Sequence, residues 1–188
     1  RTFELHSGDI LGDRTDLLVI STHHNLRQPP TGHLVSTLKE RFGFSVDVNP
    51  HWISFGEGVS ACVQGGDDRV PFRTLLTMRI ARSGSQADPI AFYDRAVRAT
   101  FAATAALEFM GGSFATLSLP VLSGRRIVDY PAAVQSLLRH AFAWLRRSRD
   151  TEVVRYYVFE PDELQQWDQA MNTSLGRSYV DTAHEFVA

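Results

Sequence analysis

The stretch FATLSLPVLSGRRIVDYPAAVQSLL, residues 114–138, decides the fold. FATLSL, 114–119, has the pattern of a buried strand, and IVDYPAAVQSLLRHAFAWLRR, 127–147, that of a helix. Between them lies PVLSGRR, 120–126. A strand that ends in Pro, Ser and Gly and then feeds a helix is where α/β proteins commonly hold an anion. The amides of Leu122, Ser123, Gly124, Arg125 and Arg126 can form a nest around a diphosphate. Gly124 permits a left-handed turn, and an arginine adds a bidentate contact to phosphate. The alternative is a strand-to-helix turn with two solvated arginines.

Outward from this unit, the same grammar repeats. TDLLVIST, 15–22, is almost continuously apolar, as in a strand buried on both faces of a parallel sheet. TFELHSGDI, 2–10, reads as a first strand closing in a Gly-Asp turn. HLVSTLKERFG, 33–43, places Leu34, Leu38 and Phe42 at helical spacing, with Gly43 as a stop. VSACVQ (59–64) and RTLLTMRIA (73–81) are strands joined by the turn GGDDRVPF. PIAFYDRAVRATFAATAALEFMGG, 89–112, is a long Ala-rich helix with Pro89 in its first turn and Gly111-Gly112 at its end. Its Tyr93, Asp94 and Arg95 read as an exposed face plus core residues. EVVRYYVFEP, 152–161, is a late strand, and PDELQQWDQAMNTSL, 161–175, a final helix with acids in its first turn. The order predicts an α/β fold: a three-layer α/β/α sandwich around a mixed, mostly parallel sheet. Ligands in such sheets bind beyond the carboxyl ends of the strands.

The 188 residues, 44% hydrophobic, suit one domain over 1–188. The chain begins at Arg1 rather than Met, so a piece of a longer protein is expected, with a fused effector domain or a homo-oligomer as partner. A formal net charge of -2 gives no electrostatic reason to expect nucleic acid as a partner. No apolar run spans a bilayer and no signal peptide is present, so membrane contact is not expected from this segment. The single cysteine, Cys62, points to a reducing, cytoplasmic setting.

Three further loops carry candidate chemistry. In SGDI, 7–10, Asp9 can accept a hydrogen bond from an exocyclic amine such as that of adenine, while the Ile10 amide donates to a ring nitrogen. The alternative, which the local sequence alone favours, is that Asp9 closes a turn or caps a helix. In STHHNLRQPPTGHL, 21–34, a polar loop leaves the second strand, and His23, His24 and Asn25 can donate to a ribose or phosphate. Adjacent histidines diverge, His33 lies beyond two prolines and no acid or cysteine is near, so no metal is expected. In VFEPDE, Phe159 can stack on a base or pack on the last helix. No GxSxG, GxxxxGK[ST], GxGxxG or CxxC motif occurs, which removes support for the familiar hydrolases and dinucleotide dehydrogenases. No cofactor is expected.

The series GDI, TDLLVIST with Asn25 downstream, a Pro/Gly loop into a helix, LSLPVLSGRRIVDYPAAVQSLL and VVRYYVFEPDELQQW resembles a divergent macro domain along nearly all of the chain. The resemblance implies a cleft for ADP-ribose or a related nucleotide. In that frame Asp9 is the adenine-binding acid and Ile10 its neighbouring amide. Ser21, Thr22, His23, His24 and Asn25 hold the distal ribose. Ser123 to Ile127 cover the diphosphate, and Phe159 lies near the adenosine. Three departures matter. LRQPPTGH stands where the family has a glycine run, the paired asparagines are replaced, and Ser-Gly-Arg-Arg replaces Gly-Thr-Gly. They argue against efficient hydrolysis, and no catalytic residue is assigned. The expected function is a binding module for ADP-ribose or an ADP-ribose- or NAD-derived signal, as in the sensor part of a bacterial antiviral defence effector. The alternatives are an ADP-ribosyl hydrolase using His23 and His24 as acid or base, and an interaction domain with a degenerate pocket.

Overall fold

The computed structural model describes residues 1–23, 33–47, 51–56, 58–80, 88–122, 127, 129–176 and 184–187. Its elements in chain order are β1 (Thr2–Ser7), β2 (Thr15–His23), α1 (His33–Phe42), β3 (Ile53–Gly56), β4 (Val59–Gly65) and β5 (Phe72–Ile80). They continue with α2 (Pro89–Phe109), β6 (Thr116–Pro120), α3 (Tyr130–Arg147), β7 (Val153–Val158), α4 (Pro161–Ser174) and β8 (His184–Val187). Among the described residues, the strands form one sheet of eight in the order β3-β4-β5-β2-β6-β7-β1-β8.

The five central strands, from β5 to β1, are parallel, and antiparallel neighbours close both edges. β2 shows why its apolar run has no polar alternation. Leu17 and Val19 enter the larger core, while Leu18 and Ile20 enter the smaller one on the opposite face. Side chains alternate across a strand, so a strand with two dry faces must be apolar at every position. The larger core lies beneath α2, α3 and α4, and the smaller beneath α1, whose Leu38 is fully buried. This is the expected three-layer α/β/α sandwich with a mixed, mostly parallel sheet.

Local signals set the helix ends. Asp88 accepts from the amides of Ile90 and Ala91 ahead of Pro89, and Asp129 accepts from Ala132 ahead of Pro131. α1 stops at Gly43, whose φ of +64° is left-handed, while the amide of Phe44 donates back to the carbonyl of Leu38. Two strands were not anticipated from sequence. β3 is four residues with Ile53 largely exposed, and β8 is four residues added antiparallel to β1. Both are short edge strands, which carry little periodicity of their own.

Asp16 ties the sheet together at the amino end of β2. Its Oδ2 accepts from the amides of Ala115 at 2.9 Å and Thr116 at 3.0 Å, and its Oδ1 faces Arg73 at 3.2 Å. Burial alone would push this carboxyl up. The bonds from Thr116, Arg73 and Ala115 outweigh it and hold the carboxyl below its usual range.

Candidate functional site

The site grows from the register of β1 on β7. Ser7 pairs with Val158, and the amide of Gly8 donates to the Val158 carbonyl at 3.1 Å. That pairing brings the residues just past the two strands, Asp9 and Phe159, to opposite sides of one cleft. Gly8 takes a φ of +94°, a backbone a side chain would strain, and so turns the chain over the strand end. Pro120 and Val121 at the end of β6 form a third wall, and His33, Leu34 and Thr37 of α1 a fourth. The cleft has a volume of about 530 Å³ and opens at the carboxyl ends of β1, β7 and β6. Its surface is mainly apolar, with Asp9, Glu160 and Glu163 as the carboxylates on its rim.

Asp9 works in two directions. Its Oδ1 accepts from the amide of Leu11 at 2.9 Å, and its carbonyl accepts from Gly12, so it closes the turn. Its Oδ2 pairs with Arg41 of α1, which docks the helix end to the turn. Both side chains of that pair are about half exposed, so a ligand donor can compete for the carboxylate. Ile10 is buried in the smaller core, which leaves its backbone as the part that faces the site.

Phe159 is 63% exposed and touches His33 edge-on, with ring centroids 5.8 Å apart. It therefore does not pack into the core, and most of the ring is open to solvent. Tyr157 lies under the cleft, with its hydroxyl donating to Asp13 Oδ2 at 2.7 Å. Burial, and then Asp13, push its phenol well up, so it stays protonated.

The other sequence-predicted residues fall as follows. Ser21 pairs in register with Met78, so its side chain lies on the face of the larger core. The alternation of the strand leaves Thr22 on the opposite face, that of the smaller core. His23 is the last residue of β2. Leu122 and Ile127 are 1% and 2% exposed, so their side chains are core, and only their backbone can serve a ligand. His24, Asn25, Ser123, Gly124, Arg125 and Arg126 lie outside the described residues. Among the described residues, no three His, Cys, Asp or Glu side chains are grouped as metal ligands, and no helix is long and apolar enough to cross a membrane.

Sequence reasoning missed His33 and Thr37 as cleft residues. They stand four apart on α1, one helical turn, but nothing in the sequence says which way α1 faces. Thr37 donates its hydroxyl to the His33 carbonyl at 2.9 Å, which fixes the first turn of the helix above the cleft.

No protein-family model matches this chain, and no curated protein matches it in sequence. Solved structures do match. A Trypanosoma brucei macrodomain in complex with ADP superposes with a TM-score of 0.61 at 12% identity, over 89% of this chain and 68% of that one. A variant of the Oceanobacillus iheyensis macrodomain with ADPR gives 0.60 at 11%, over 93% and 94%. The macrodomain of Mycobacterium tuberculosis DarG gives 0.52 at 14%, over 82% and 96%. The chain therefore has the macrodomain fold, with a sequence far from these examples.

Proposed function

We propose that this chain is a binding module that recognises ADP-ribose, or a nucleotide signal derived from ADP-ribose or NAD, in the cleft between Asp9 and Phe159. One observation carries the reading. A carboxylate and a free aromatic ring, from turns 150 residues apart in sequence, converge at the carboxyl end of a macrodomain sheet. Two solved structures of that fold carry ADP and ADPR.

The roles follow from the chemistry. The Asp9 carboxylate accepts from the adenine amine, and the Ile10 amide donates to the ring nitrogen beside it. The open face of Phe159 stacks on the base or its ribose. The diphosphate then runs along the end of β6, past Pro120 and Val121, toward the end of β2. In the fuller form of this reading, occupancy is passed to a fused effector domain or a homo-oligomer, as in a bacterial antiviral sensor. The replaced asparagines and the altered first loop favour reading a signal over hydrolysing one. A cytoplasmic setting accords with the buried thiol of Cys62.

Thermal melts with ADP-ribose, ADP and AMP test the proposal. A ligand at a hundred times its Kd adds about 2.7 kcal/mol of stability, or roughly 5–10 °C for a chain of this size. ADP-ribose should give the largest shift of the three. No shift with any of them at millimolar concentration overturns the proposal.

A further inference from the structure

Arg79, next to last in β5, is 3% exposed. No acidic side chain pairs with it among the described residues. Its neighbours instead are polar and unpaired. The register of β4, β5 and β2 sets Ser60, Arg79 and Thr22 in one row across the sheet. The next row sets Cys62 opposite Thr77. The Oγ atoms of Ser60 and Thr22 and the Nε of Arg79 are buried without a hydrogen-bond partner among the described residues. Trp52 roofs the group, with its ring 3.8 Å from the guanidinium carbon.

A guanidinium stays protonated, so burial cannot silence it as burial silences a lysine. A buried charge calls for a counter-charge, and buried polar atoms call for partners. Burial does pull this guanidinium down, and among the described residues the group that acts against that shift is the Cys62 thiol. Burial pushes that thiol up to about 11, so it is neutral near pH 7 and supplies no charge. The row thus presents a cation and flanking hydroxyl donors with nothing negative among the described residues to receive them.

Thr22 and Arg79 share a sheet face with Leu18 and Leu75, the face that α1 covers. They also sit at the carboxyl ends of their strands. From β7, which leads into Phe159, to β5 is three strand steps, or about 14 Å at ~4.8 Å per step. A ligand that begins at Phe159 and runs across β6 and β2 ends at this row.

We propose that Arg79, flanked by Thr22 and Ser60 and roofed by Trp52, is an oxyanion subsite that takes a carboxylate or phosphate carried on the end of the ligand distant from Phe159. The identity of that ligand rests on the nucleotide reading above, but the subsite itself does not. Arginine matches both oxyanions in a bidentate fork, and the hydroxyls add donors at its sides. Such a group would let the protein tell a modified ADP-ribose from ADP-ribose itself.

The test uses the intact chain and Arg79→Met. Titrations compare ADP-ribose with ADP-ribose phosphorylated, or carboxymethylated, on its terminal ribose. The wild type should bind at least one anionic form tenfold or more tightly than ADP-ribose, and the stronger of the two identifies the oxyanion. Arg79→Met should lose that preference while its affinity for ADP-ribose changes less than threefold. Melts in inorganic phosphate supply a readout free of nucleotide. Phosphate should raise the wild-type Tm more than that of Arg79→Met, and without phosphate the variant should melt no lower than the wild type. If no nucleotide binds but the phosphate difference holds, the subsite stands and the nucleotide reading falls. Equal binding of all three ligands by the wild type overturns the subsite. So does a variant that melts lower and shows the same phosphate shift, since that is a merely structural arginine.

Discussion

His33, the first residue of α1, meets Phe159, just past β7, edge-on across the cleft, with ring planes at 62°. The contact joins the two layers of the site through one weak ring pair, and the rest of the Phe159 ring is open. Phe159→Ala should therefore leave the fold intact and weaken adenine nucleotides about fivefold, the equivalent of ~1 kcal/mol of stacking. Titration with ADP and a melt of the free protein check the two halves. A large drop in Tm would mean that the ring is structural.

Asp9 divides its carboxylate between the Leu11 amide and Arg41. Asparagine can keep the turn through its remaining oxygen, but it presents an NH2 group where the carboxylate accepted. Asp9→Asn should reduce the preference for ADP over IDP by about tenfold, because the side chain no longer repels the base's carbonyl, while the ring N–H of IDP still meets the Ile10 amide. Loss of the exposed pair with Arg41 should cost under about 1 kcal/mol of stability. Competition between ADP and IDP on wild type and variant decides this, and an unchanged preference would remove Asp9 from the base site.

The hydroxyls of Tyr93 and Tyr156 meet at 2.9 Å inside the larger core, beside Trp167. Burial pushes both phenols far up, so the bond persists across the pH range of the folded protein. Tyr156→Phe strands the Tyr93 hydroxyl and should cost about 1–3 kcal/mol. The double change Tyr93→Phe, Tyr156→Phe should cost less than the sum of the single changes, since it removes both partners together. Urea unfolding of the four proteins gives the coupling, and strict additivity would contradict it.

Asp16 predicts acid sensitivity of a definite sign. Its folded carboxyl lies below the ordinary 3.8, so its contribution is present above that value and is lost as pH falls through the lower, folded value. Asp16→Ala should cost about 1.5–3 kcal/mol at neutral pH, because the amides of Ala115 and Thr116 lose a charged acceptor. The gap to wild type should narrow as pH drops below 3.8. A gap that is constant with pH would show that the carboxylate's charge does not matter.

Much of this was legible in the sequence, and the exceptions have physical causes. TDLLVIST announced a strand with two buried faces, and its residues do feed two cores. Pro89, Gly43 and Gly111 marked helix ends because backbone conformation limits the residues there. Asp9 and Phe159 were found as strand-end residues, but their convergence depends on β1 lying beside β7, a pairing that spans most of the chain. Arg79 went unnoticed inside RTLLTMRIA. A sequence does not show that a charge within a strand is covered, and the cover, Trp52, comes from a separate segment before β3. Ser21 and Thr22 looked equivalent, and only the strand's register decides which core each one faces.

The central claim is that the Asp9–Phe159 cleft holds an ADP-ribosyl nucleotide. Isothermal titration of the purified chain with ADP-ribose tests it most directly. The prediction is saturable binding of one ligand per chain with a Kd well below millimolar, weakened in Phe159→Ala. No heat of binding up to millimolar ADP-ribose, or binding that Phe159→Ala and Asp9→Asn both leave untouched, would contradict it.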